Sequence, residues 1–143
     1  MHFILGGAFN GKHEWVKKEY DHLTWYSAYK KDSLPEKLPG DKVIAIEGIE
    51  RWIREYILEN EQIDAVCERF QKRIDTWMEW EQETNGTVVV IGTEVGKGIV
   101  PMNEQDRSFR DACGYIYQYL TEKAAIVDQI WYGIPQRLKE ELT

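Results

Sequence analysis

Gly6-Gly7-Ala8-Phe9-Asn10-Gly11-Lys12-His13 is the stretch whose residue types and spacing could do chemistry. Gly6, Gly11 and Lys12 fill all but the last place of G-x-x-x-x-G-K-[ST]. In that pattern glycines let successive backbone N–H groups face a phosphate while the lysine supplies charge. Lys12 and the backbone of Gly7 to Gly11 are therefore expected to bind the β- and γ-phosphates of a nucleotide. The last place holds His13. An imidazole replaces the hydroxyl that touches Mg²⁺ in such loops, and this hard cation takes oxygen in preference to nitrogen. The rival reading is an ordinary strand-to-helix turn that needs glycine for its backbone angles.

Two further stretches carry acids and glycines where a site could use them. Lys42 to Glu47 is a nearly continuous apolar run ending in a carboxylate. That is the pattern of a strand buried on both faces, and an acid at its end could hold Mg²⁺ directly or through water. Glu47 could equally be a surface acid at a strand end. Gly92 to Pro101 contains Glu94, Gly96 and Gly98 and follows an apolar strand. Open α/β sheets bind their ligands just past the carboxyl ends of strands, although a long connector would use the same glycines. Arg107 and Arg110 follow near the head of the next helix.

The elements that must position these residues alternate in type. Strands are expected at His2–Leu5, Leu23–Tyr29, Lys42–Glu47, Thr87–Ile91 and Ile126–Tyr132. Helices are expected at Lys12–Tyr20, Gly48–Leu58, from Ile63 to the Asn85-Gly86 stop, and at Glu104–Ala124. Lys30 to Asp41, with two prolines and a glycine, reads as loop, and Pro135 to Leu142 as a short polar helix. The tryptophans fall at helical spacing and read as core. Such alternation predicts an α/β fold with a mostly parallel sheet flanked by helices, in a single nucleotide-binding domain over residues 1–143.

A net charge of −7 and a pI near 5.0 argue against a protein that holds nucleic acid or an acidic membrane through bulk charge. Any phosphate must be bound locally. The two cysteines, Cys67 and Cys113, sit far apart among apolar neighbours and read as buried thiols in a reducing cytoplasm. No targeting segment or membrane span is evident.

Glu94-Val95-Gly96-Lys97-Gly98-Ile99-Val100-Pro101, then Arg107-Ser108-Phe109-Arg110-Asp111, Gly114, Gln118 and Gly133-Ile134-Pro135 resemble the bifunctional adenosylcobinamide kinase/adenosylcobinamide-phosphate guanylyltransferase family. Gly6-Gly7-Ala8 through Lys12 and the strand ending in Glu47 resemble that family's phosphate loop and acid-ended strand. The resemblance implies a RecA-like P-loop fold, usually a trimer, working in cobalamin biosynthesis with Mg²⁺. Such enzymes phosphorylate adenosylcobinamide with ATP or GTP, then transfer GMP through a guanylylated histidine. It also implies that Glu94, Gly96, Gly98, Arg107 and Arg110 hold the cobinamide phosphate or the nucleotide.

The chain departs from that pattern at His13, where the family has Ser, and at Thr93 and Tyr117, where it has Asn. The family carries its accepting histidine between the second and third strands, where this chain has the loop Lys30 to Asp41, without a histidine. The expectation is a kinase lacking the guanylyltransferase half-reaction. A non-catalytic relative that binds nucleotide or corrinoid as a regulator or assembly partner, and a P-loop kinase of another substrate, are the alternatives.

Overall fold

The computed structural model describes residues 1–40, 42–59, 61–95 and 103–141. Its sheet has six strands: β1 (His2–Gly6), β2 (Leu23–Ser27), β3 (Val43–Glu47), β4 (Thr87–Thr93), β5 (Ile126–Trp131) and β6 (Ile134–Glu140). The helices are α1 (Lys12–Glu19), α2 (Ile49–Leu58), α3 (Ile63–Glu83) and α4 (Glu104–Lys123). The sheet order is β2-β3-β4-β1-β5-β6, parallel except for β6, which pairs antiparallel with β5. This is the α/β, mostly parallel P-loop architecture expected from the sequence.

Side-chain alternation along the strands builds two unequal cores. Phe3, Ile44, Ile46, Val88, Val90 and Val127 face α2, α3 and α4. Ile4, Val89, Ile91 and Ile130 face the other way, toward Val16 and Trp15 of α1. Three helices thus cover one face and one short helix the other.

Trp52 and Trp77 lie in the larger core, as their spacing indicates. Their indole N–H groups also reach out of it. Trp52 Nε1 donates to the Asp32 carbonyl at 3.0 Å and Trp77 Nε1 to the Pro35 carbonyl at 2.9 Å, so the loop after β2 is pinned to α2 and α3. A buried indole N–H needs such a partner.

Two expectations are corrected. Residues 135–140 form a strand, not a helix, because Tyr132 and Gly133 both take positive φ (49° and 78°). Two such residues make a type I′ turn, which folds the chain straight back on β5. Pro135 is tolerated because β6 is an edge strand. β2 stops at Ser27, and Ala28–Lys30 is a 3₁₀ turn. In the sheet, β4 lies between the acid-ended strand β3 and the loop strand β1.

β6 is tied down by a buried charge. Asp128 is fully buried, accepting from His2 Nε2 at 2.6 Å and from Arg137 Nε at 2.9 Å. The Tyr20 hydroxyl donates to His2 Nδ1 at 2.6 Å. A carboxylate can only accept, so Nε2 carries a proton, and burial, which disfavours the charged ring, leaves Nδ1 to accept from Tyr20. Burial holds its pKa below the ordinary 6.5, outweighing the pull of Asp128.

The sign of the pH effect follows. A base whose folded pKa is depressed refuses a proton that the unfolded chain accepts, so stability is complete above about pH 6.5 and declines as pH falls toward the folded pKa. His2→Gln is expected to flatten the slope of unfolding free energy between about pH 7 and about pH 5, read by urea titration. An unchanged slope would remove His2 as the cause.

Candidate functional site

The phosphate loop leaves the carboxyl end of β1 and turns into α1 at Gly11. Gly11 has φ 85°, and a Cβ there would stand 3.2 Å from the backbone of Gly133, so both angle and space call for glycine. Side chains do not cap α1. Its first-turn amides are left for an anion, which the helix dipole also favours. Phe9 holds φ 61° and is fully exposed.

Lys12 is buried and bends back over the loop, its Nζ donating to the carbonyls of Gly6 at 3.2 Å and Gly7 at 2.7 Å. Burial lowers its pKa, and the carboxylates of Glu50, Glu47 and Glu94 oppose that shift. One ammonium therefore faces three acids, a charge balance that a triphosphate alone would worsen and a divalent cation would correct.

Glu47 is close to the loop despite the inserted strand. His13 Nδ1 donates to its Oε2 at 2.6 Å and Ser27 Oγ to its Oε1 at 3.0 Å. The His13 ring stacks on Trp25, centroids 4.2 Å apart. His13 therefore clamps the acid that a loop serine would share with Mg²⁺. Among the described residues, no group of three His, Cys, Asp or Glu side chains is disposed to hold a metal alone. Mg²⁺ commonly needs only one or two carboxylates besides phosphate oxygens and water, so Glu47 with a bound nucleotide is a fitting donor set.

Phe9, Lys12, His13, Glu47, Glu50 and Arg51 line a cavity of about 740 Å³ that also reaches Tyr29 and Thr93. Glu50 and Arg51 were not legible as site residues. Glu50 is buried, accepting from the Thr93 amide at 3.0 Å and from the Tyr29 hydroxyl. The Arg51 guanidinium lies 5.6 Å from the centre of the Tyr29 ring. The one available signal was position: both follow Glu47 within the first turn of α2, at the same sheet edge.

Glu94 also comes to the loop. Its amide donates to the Gly6 carbonyl at 2.9 Å and its carboxylate accepts from Gln129 Nε2 at 2.7 Å. Gly96 and Gly98 lie outside the described residues. Arg107 is exposed, Arg110 is 3.8 Å from Asp111, and neither lines the cavity. Tyr117, well along α4, donates to the Thr93 carbonyl at 2.7 Å. Both arginines precede Tyr117 by two to three helical turns, so the head of α4 stands beyond the end of β4.

The histidines are accounted for. His2 is buried at the far end of β1 with both ring nitrogens engaged, His22 is exposed just before β2, and His13 is at the loop.

Comparison with known proteins supports the same assignment. The chain is 22% identical to the bifunctional adenosylcobalamin biosynthesis protein CobP of Pseudomonas aeruginosa over 109 residues, covering 76% of this chain and 60% of that protein. It is 41% identical to the bifunctional adenosylcobalamin biosynthesis protein CobU of Salmonella typhimurium over 61 residues, 41% of this chain and 32% of that one. The chain thus matches less than two thirds of the length of either relative. A family model described as cobinamide kinase / cobinamide phosphate guanyltransferase matches residues 17–138, starting just after the phosphate loop. With that match over most of the chain, joined to a sheet whose β1, β3 and β4 ends meet at Lys12, the chain belongs to the cobinamide kinase / cobinamide phosphate guanyltransferase family.

Proposed function

We propose that this chain is a cytoplasmic adenosylcobinamide kinase of cobalamin biosynthesis, using GTP or ATP, that has lost guanylyl transfer and works as a homo-oligomer, a trimer by family resemblance. The observation that carries this reading is the convergence of Lys12, Glu47 and Glu94 at one sheet edge with a cavity beside them.

Lys12 would leave the Gly6 and Gly7 carbonyls for the β- and γ-phosphates, joined by the amides of Gly7 to Gly11. Glu47, through water, would hold Mg²⁺ beside the bound nucleotide, and the ion would supply charge neutralisation there. Arg51 would add a second cation on the cavity side, and Glu50 would keep Tyr29 and the end of β4 in place. Glu94, Gly96, Gly98, Arg107 and Arg110 would hold the cobinamide. Phosphoryl transfer asks mainly for positioning and charge neutralisation, which these groups supply. The test is to incubate the protein with adenosylcobinamide, Mg²⁺ and GTP or ATP and to look for adenosylcobinamide phosphate. Its absence with both nucleotides would overturn the kinase reading.

The clamp of His13 on Glu47 favours the second reading, a non-catalytic relative that binds nucleotide or corrinoid, because an acid so engaged is less free for metal. It also yields a prediction. His13→Ser is expected to raise the kinase rate, since serine releases Glu47 and returns an oxygen to Mg²⁺. The rate is read against Mg²⁺ concentration, and no rise at saturation would give His13 a role of its own.

A further inference from the structure

The β5–β6 turn touches the phosphate loop. The Gly133 N–H donates to the Asn10 carbonyl at 2.7 Å, and Gly133 stands so near Gly11 that a methyl there would be 3.2 Å from its Cα. Beside Gly133 at the tip of the turn, Tyr132 is 83% exposed with φ 49°. A bulky side chain takes this left-handed conformation at a cost, and Asn, Asp or Gly fills the position more readily in such a turn. A large ring kept uncovered there adds nothing to either core.

Strand order indicates which part of a nucleotide would meet this ring. β3, bearing Glu47, lies two strands to one side of β1, and the β5–β6 hairpin lies on the other side. A triphosphate with its terminal phosphate between Lys12 and Glu47 leads its nucleoside away from Glu47, toward the turn. Phe9 and Tyr29, also exposed aromatics, line the cavity on the Glu47 side, and Tyr29 is engaged there by Glu50, while Trp131 precedes Tyr132 at the end of β5. Resting on the reading that the loop binds a nucleoside triphosphate, we propose that Tyr132 is the platform on which the nucleobase stacks, with the Gly133–Asn10 hydrogen bond fixing its distance from the phosphate loop. Every base has a π-face, so such a platform accepts guanine and adenine alike.

The experiment is calorimetric titration of the full chain with GTP, ATP and inorganic tripolyphosphate, each with Mg²⁺. Tyr132→Ala is expected to weaken both nucleotides by roughly fivefold to a hundredfold, the range that aromatic-to-alanine changes give at stacked bases, while tripolyphosphate binds as before. Tyr132→Phe, which keeps the ring, should restore nucleotide affinity. Lys12→Ala should weaken all three ligands. If Lys12→Ala does so but Tyr132→Ala binds the nucleotides like the unaltered protein, the platform is refuted while the phosphate-loop reading stands. An equal loss of tripolyphosphate with Tyr132→Ala would make the turn a brace for the loop, and a nucleotide-selective loss with Phe9→Ala alone would put the base on the Glu47 side. No binding of any of the three ligands to the unaltered protein would overturn the loop reading and the platform with it.

Discussion

Lys12→Ala is expected to bind GTP and ATP about tenfold to a hundredfold more weakly than the unaltered chain, since a hydrogen bond from a charged group is worth about 1.5–3 kcal/mol and each factor of ten about 1.4 kcal/mol. In the free protein its ammonium rests on the Gly6 and Gly7 carbonyls, so binding exchanges two hydrogen bonds to neutral acceptors for contacts to charged phosphate. The same exchange explains why the variant should still fold. Of the two carbonyls it abandons, that of Gly6 at the end of β1 keeps its hydrogen bond from the Glu94 amide, and that of the half-buried Gly7 can take water in place of the lysine. Calorimetry with both nucleotides and circular dichroism decide the matter. Equal affinity in variant and parent would reduce Gly6–Lys12 to a structural turn.

Trp77→Ala carries the largest expected cost in stability, about 3–5 kcal/mol, the range for emptying a buried aromatic site. Trp77 is fully buried, and its N–H is also the donor that holds the Pro35 carbonyl. Against a typical domain stability of about 5–15 kcal/mol, this is a large share. Trp77→Phe keeps most of the volume and loses the hydrogen bond, so it should cost about 1 kcal/mol plus what the smaller ring leaves unfilled. Urea midpoints separate the two contributions. Equal losses would mean that the indole hydrogen bond to Pro35, not packing, secures the loop after β2.

The parts of the fold that were readable were local. β1, the phosphate loop and α1 announce themselves by an apolar run, spaced glycines and helical periodicity within about twenty residues. The strand ending at Glu47 and the stripes of α2 and α3 are equally self-contained. Strand order is not, and nothing near residue 43 says that β4 will intervene between β3 and β1. β6 was missed for a subtler reason. Its turn uses Tyr132 where Asn or Asp would have advertised a hairpin, and Pro135 with the charges after it masks the alternation of an edge strand.

The site shows the same division. Lys12 and Glu47 follow from pattern, whereas the role of His13 depends on Trp25 of β2 and Glu47 of β3 meeting it, with Ser27 holding the second oxygen of Glu47. Glu50 and Arg51 were hidden because the apolar stripe of α2 already accounted for its sequence. Arg107 and Arg110 are legible through their motif, and they lie on the part of α4 that extends past the sheet, outside the lining of the cavity that holds Lys12 and Glu47.

The claim that only the kinase half-reaction persists can be tested in one reaction, with GTP carrying distinguishable labels on its α- and γ-phosphates, incubated with Mg²⁺ and adenosylcobinamide. Covalent guanylylation needs an imidazole nitrogen in line with the α-phosphorus. His2 is enclosed at the opposite end of β1, His22 precedes β2 at that same end, and His13 gives one nitrogen to Glu47 beside the residue that would hold the β- and γ-phosphates. The account predicts γ-label in adenosylcobinamide phosphate and no α-label on the protein. Acid-labile, alkali-stable α-label on the protein, lost in His13→Ala, would contradict it and make this chain a rearranged guanylyltransferase.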